Sequence, residues 1–419
     1  MKKPLFFSLA LLCSLSFSAQ AEKLAITNGK LYTIDNGIIE NGTVLIDEGK
    51  ITAVGTDITV PVGARVIDAG GKPVTPGLFD AISSLGLSEV TLSAGIEDDE
   101  ATTSRLKIAP DASYAFNPDN TFVPSTRIAG VTRTATSMKV TKSIFAGRGA
   151  IVDLGLGPDH ITRPRAFLYV DLGEKGGNNA GGSRAASWVE FDAALKESDN
   201  LVAHPRNHWA GGKGETLYNR VDLEALLPAA QGDIPLIIHV ERLADIRQVI
   251  ALKKKRPALK IAIFGAAEAW RAADELAQAQ IAVLVHPLDN LPRNFNKIGA
   301  TMENASRLQD AGVKIGITSW GRRLRHYGVR LLPHFAGNAV ANGLSHDEAL
   351  YAITMGPAEI YGVSDRLGSL AVGKEADIVI WSGDPLELME VATTVIIKGQ
   401  EIPLVSRQTK LRDRYREIE

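Results

Sequence analysis

Cysteine is almost absent from this 419-residue chain: its one copy, Cys13, falls in a stretch that a mature protein would not keep. The remainder therefore holds no disulfide, no thiol nucleophile and no cysteine-ligated metal. Aromatic residues make up only 6%, which leaves the core to aliphatic side chains. After the first residues no apolar run approaches the roughly 20 residues that span a bilayer. Basic excess is lacking too: 46 Lys and Arg face 48 Asp and Glu, so nothing favours nucleic acid as a partner. No internal repeat is present to support a repetitive adhesion role. No glycine fingerprint follows the early strands, which weakens a nucleotide-binding fold.

What is present begins with a leader. Lys2 and Lys3 precede an apolar run from Leu5 to Phe17 that ends in Ala19-Gln20-Ala21. This is the pattern of a secretory signal peptide, residues 1–21, cleaved after Ala21, and it predicts a periplasmic protein. Leu12 stands where a lipid-attachment signal needs a small residue, which argues against a lipoprotein. The chain as a whole is 45% hydrophobic and 22% charged, the composition of a globular protein with a large core.

From Glu22 to Val74 short alternating segments are punctuated by Asn28-Gly29 and Glu48-Gly49, which predicts antiparallel strands with tight turns. Leu367 to Lys398 has the same character. Two such pieces, 22–75 and 365–405, are expected to join into one small β-sandwich, with a charged tail at 406–419. Between them, residues 76–364 alternate apolar runs with helical ones. Pro235 to Val240 precedes a helix over Leu243–Lys255 with three lysines in its last turn. Lys260–Phe264, a helix over Glu268–Gln280, Ile281–Val285, a helix near Thr301–Asp310 and Val313–Thr318 follow. Ser345 with Glu348 has the form of a capping box. This α/β pattern predicts parallel strands with crossover helices, closed into a (β/α)8 TIM-like barrel. The polar stretch Ser88–Thr126, with Glu97-Asp98-Asp99-Glu100, reads as a solvated loop, and Asn178–Ser183 as a flexible lid or connector.

Two stretches carry a resemblance: Asp68-Ala69-Gly70-Gly71-Lys72-Pro73-Val74-Thr75-Pro76-Gly77-Leu78-Phe79-Asp80-Ala81 before the barrel, and Gly368-Ser369-Leu370-Ala371-Val372-Gly373-Lys374-Glu375-Ala376-Asp377-Ile378-Val379 after it. With them the chain resembles the amidohydrolase superfamily, in its imidazolonepropionase-like and dipeptidase-like branch. The resemblance implies a hydrolase of non-peptide or dipeptide-like C–N bonds, with divalent metal, zinc for example, at the barrel mouth. That metal would be held by His-x-His on the first strand, a lysine or glutamate on the fourth, histidines on the fifth and sixth, and an aspartate on the eighth. Such a metal lowers the pKa of bound water to about 7 and polarises the scissile carbonyl.

At those positions this sequence has Ile82 and Ser84, then His239, Phe264 and Trp320; His239 is the one retained ligand type, and Glu174 is the candidate for the fourth strand. Three bulky apolar residues would fill the space of metal and water. His239 with Glu241, two residues along the same strand, remains a candidate acid–base pair, or else a hydrogen-bonded relic. Arg322, Arg323 and Arg325 follow the eighth strand, where they could grip a carboxylate or phosphate or serve as surface charge. His204 and His208 flank Pro205, which argues against one helix face presenting both to a metal; His286 is read as structural. Two functions remain open. One is a degenerate amidohydrolase, without confident cofactor, that binds a small-molecule ligand or an intact relative as a homo- or hetero-oligomer. The other is an active C–N hydrolase with a reduced site around His239.

Overall fold

The computed structural model describes residues 23–89, 97–204, 216–289, 291–320 and 326–416. The expected leader, His208 and the arginines of 321–325 lie outside the described residues. The chain opens with β1 Leu24–Tyr32, β2 Ile38–Asp47, β3 Lys50–Gly55, β4 Arg65–Asp68 and β5 Pro73–Pro76. Eight strands follow: β6 Leu78–Ser83, β7 Val131–Thr136, β8 Phe145–Asp153, β9 Ile161–Asp171, β10 Leu236–Val240, β11 Ile261–Gly265, β12 Ala282–Val285 and β13 Ile315–Ile317. The last are β14 Ile378–Trp381, β15 Ala392–Ile397 and β16 Gln400–Glu401.

Both chain ends build one sheet, in the order β16-β15-β14-β5-β1-β2-β3, with β4 also beside β1. The join is antiparallel pairing of Ile378 with Pro76 and Ile380 with Val74. Glu48 and Gly49 turn the chain from β2 to β3 with φ of 48° and 75°, the left-handed conformations that a two-residue hairpin turn demands. Leu24, Ile26, Val44, Val74, Ile378 and Ile396 pack into the apolar core of this sheet.

The second sheet runs β6 through β13 in sequence order and nearly closes on itself. Among the described residues no ladder joins its edges, and side chains bridge them instead. The Thr318 hydroxyl donates to Ile82 O at 2.6 Å and the Ser319 N–H to Asp80 Oδ1 at 2.7 Å. The barrel expectation thus holds, with one change in strand direction: β8 is antiparallel to both β7 and β9. The connections 137–144 and 154–160 are too short for a crossover, which takes about a dozen residues.

Local expectations mostly hold. The helix Leu243–Lys255 ends on its three lysines, and Ser345 and Glu348 form both halves of the capping box. The segment expected to be one helix from Glu268 is a 3-10 turn, Ala269–Ala272, followed by a helix over Ala273–Gln278. In the acidic run, Asp99 is buried and paired with Lys139 at 3.0 Å, so that residue is no solvated charge.

Asp80 is fully buried at the barrel's closing edge. Burial pushes its carboxyl up to about 7, against the opposing pull of hydrogen bonds from Ser319, Thr134 and Ser83. Because the folded-state value is raised, ionisation of Asp80 costs stability progressively from pH 3.8 upwards, and the cost levels off above pH 7. Asp80→Asn keeps an acceptor for Ser319 N–H and gains a donor for the hydroxyls. It is expected to raise stability by about 1–3 kcal/mol at neutral and alkaline pH and by little near pH 4, as urea titrations at the two pH values would measure.

Candidate functional site

The C-terminal ends of the parallel strands meet at one mouth, where barrel enzymes place their chemistry. β9 and β10 bring Asp171 opposite His239 in register, with His239 Nδ1 and Asp171 Oδ2 2.9 Å apart. His239 Nε2 lies 3.3 Å from Glu241 Oε1, and that same oxygen receives Lys297 Nζ at 2.8 Å. The result is a row of alternating charge: Asp171, His239, Glu241, Lys297.

These contacts set the protonation states. Burial alone would lower the pKa of His239, but the Asp171 and Glu241 carboxylates outweigh it and raise the imidazole to about 10. In return, His239 and the backbone N–H groups of Gly176 and Gly173 hold Asp171 below its usual range despite burial. His239 and Lys297 do the same for Glu241. These shifts favour the imidazolium at neutral pH, with Nδ1 hydrogen-bonded to Asp171 and Nε2 3.3 Å from Glu241 Oε1. A protonated imidazole has no lone pair to accept a proton.

Gly176 makes the local packing possible. A Cβ there would sit 1.7 Å from Asp171 O, so only glycine lets the short helix Glu174–Asn179 approach closely enough for Gly176 N–H to reach Asp171 Oδ1 at 3.0 Å. The stretch expected to begin a flexible connector at Asn178 is instead the end of this helix. Glu174, the fourth-strand candidate, lies in the helix's first turn and accepts from Asn296 Nδ2. The carboxylate that touches His239 is Asp171. Asp171 is the last residue of β9, and only the pairing of β9 with β10, which the sequence does not reveal, sets it against His239.

Beside this row the mouth is filled. Phe264 tilts against the His239 ring with centroids 5.3 Å apart. Phe264 and Trp320 meet edge to face at 5.8 Å, and Tyr169 meets Trp320 at 5.8 Å and Phe264 at 6.2 Å. Ile82, Tyr169 and Phe264 are buried in one apolar cluster against which Trp320 packs. Tyr169, two residues before Asp171 on β9, is another residue that sequence reasoning missed, as is Lys297. Ser84 is buried, and its hydroxyl has no hydrogen-bond partner.

A cavity of about 400 Å³ opens beside the plug and brings Glu174, His239, Glu241 and Lys297 together, with Asn178, Asn294 and Asn296 among its other walls. Of the remaining candidates, His204 is exposed at the C-terminus of the helix Arg184–Ala203. His286 is buried with its ring 4.7 Å from Phe335. Among the described residues, no group of three or more His, Cys, Asp or Glu is placed to hold a metal ion. Among the described residues no helix is long and apolar enough to cross a membrane.

An eight-stranded barrel with a second sheet made from both chain ends gathers its polar groups at the strand ends. The chain resembles the amidohydrolase superfamily: residues 231–402 match the model of the Amidohydrolase family, and the fold matches an amidohydrolase from Thermotoga maritima MSB8. That likeness has a TM-score of 0.81 and 25% identity, and covers 91% of this chain and 99% of the other. The amidohydrolase tasK of Hapsidospora irregularis is 24% identical over 409 residues, which is 85% of this chain and 39% of that protein. A dihydroorotase of Lactobacillus helveticus is 51% identical over 55 residues, 13% of this chain and 12% of the other. The chain thus spans well under half the length of the curated relatives it matches.

Proposed function

We propose that this is an amidohydrolase-fold protein that has given up the hydrolytic metal site and acts by binding, as a periplasmic ligand-binding or regulatory partner. The observation that carries the reading is His239. The one histidine at a family ligand position is clamped by carboxylates at both nitrogens, while Ile82, Phe264 and Trp320, at three other such positions, belong to one apolar plug. A metal would have to displace a fully compensated ion row and enter a space already taken by aromatic rings. The leader-like start supports export to the periplasm. The partner is a small molecule in the mouth cavity or an intact relative in a homo- or hetero-oligomer.

The competing reading is a working C–N hydrolase with a reduced site, and the cavity that unites Glu174, His239 and Glu241 speaks for it. Against it, a general base needs a free lone pair near neutral pH, which the protonated His239 lacks. Purified protein preincubated with zinc is expected to leave dipeptides and cyclic amides unhydrolysed. Zinc-dependent turnover that a chelator abolishes would establish the hydrolase instead.

A further inference from the structure

Lys297 enters the mouth cavity from the loop after β12, not from a barrel strand. Its ammonium rests on Glu241 Oε1 at 2.8 Å, with a side chain only 14% exposed. Glu241 is fixed independently: His239 Nε2 lies 3.3 Å from Oε1, and Ala267 N–H donates to Oε2 at 3.1 Å. The loop is fixed independently too. Gly299 N–H donates to Glu268 Oε1 at 2.8 Å, Trp270 Nε1–H to Gly299 O at 2.7 Å, and Arg184 Nη2 to Asn296 Oδ1 at 2.6 Å. The Lys297 side chain can therefore leave Glu241 while both the loop and the carboxylate keep their places. What it would leave behind is the Glu241 carboxylate on the cavity wall, without the ammonium that rests on it.

We propose that the mouth cavity is a recognition site for a primary alkylammonium group, occupied in this state by the protein's own Lys297. The assignment deepens the binding role argued above and rests on it. Three N–H donors on a narrow alkyl stem match what Glu241 offers, and Asn178 and Asn294 stand on the cavity wall to take up polar groups further along an incoming amine. A free amine gains the site by displacing Lys297, so the resident side chain sets the affinity threshold that a ligand must exceed.

Chemical rescue tests this. Lys297→Ala should lower the thermal midpoint, and n-butylammonium chloride should restore it saturably, with a dissociation constant on the order of millimolar. The same salt should do nothing for wild type, for Lys297→Met, whose side chain still fills the space, or for Lys297→Ala combined with Glu241→Gln. Rescue that is absent, or that persists without the Glu241 carboxylate, overturns the assignment. Should Lys297→Ala fail to fold, amine labelling of the intact protein decides. Lys297 is expected to react far more slowly than exposed Lys196 and to become reactive in Glu241→Gln, whereas labelling at equal rates overturns the proposal. A failed rescue in metal-free, inactive protein removes only this assignment and leaves the non-hydrolytic reading standing; zinc-dependent turnover removes that reading.

Discussion

Replacing Arg133 with methionine is expected to cost about 3–5 kcal/mol or more, enough to leave much of the chain unfolded. Arg133 stands on β7 with a side chain 2% exposed. Its Nε–H donates to Asp377 Oδ2 at 2.6 Å, its Nη2 to Glu375 Oε2 at 2.7 Å, and Asp153 lies 3.7 Å from Nη1. Burial opposes the charge on Arg133, but these carboxylates outweigh it and raise the guanidinium above its ordinary range. Methionine restores much of the volume and none of the charge. Asp377 would lose its bidentate partner, while Glu375 would keep Arg366 and Asp153 would keep Lys398. Because Asp377 and Glu375 precede β14, the loss would uncouple the barrel from the sheet of the two chain ends. Urea unfolding monitored by tryptophan fluorescence would measure it. An unfolding free energy within about 0.5 kcal/mol of wild type would show that the network adds little to stability.

His239→Ala is the second large effect, expected at about 3–5 kcal/mol, because it leaves Asp171 and Glu241 without the cation between them. The same row gives a pH signature. The folded-state pKa of His239 is raised from 6.5 to about 10, so its contribution is full below pH 6.5 and declines as the pH rises through the interval to about 10. Asp171 and Glu241 are shifted down, so their contribution is present above the ordinary carboxylate range and is lost as the pH falls through their lowered values. Wild type should therefore lose stability between pH 7 and pH 10 by a margin of a few kcal/mol that His239→Ala lacks. Parallel pH profiles for the two proteins would contradict the protonated His239. The pKa of His239 can be read directly from its ring resonances by NMR.

The scaffold was legible because its signals are local. The hairpin at Glu48-Gly49, the capping box at Ser345 and the lysine-ended helix at Leu243–Lys255 are each written in adjacent residues. The stretch Glu375-Ala376-Asp377 marked the fold in the sequence, and the structure gives the physical reason: its two acids receive Arg133. The antiparallel β8 was not legible, since its strand reads like its neighbours and only the length of the connections betrays its direction. At the site, the plug could be foreseen from Ile82, Phe264 and Trp320, because each occupies a position with a family-wide chemical role. Asp171, Tyr169 and Lys297 could not. Their importance comes from pairing across strands and from a loop folding back more than 50 residues away, which no local pattern encodes.

The mouth holds an ion row and an aromatic plug, and the proposed loss of the metal site is tested most directly by metal analysis by mass spectrometry on the purified protein, before and after incubation with excess zinc and dialysis. Metal far below one equivalent per chain is expected in both samples. One or two equivalents of zinc that survive dialysis, and are lost on His239→Ala, would contradict it.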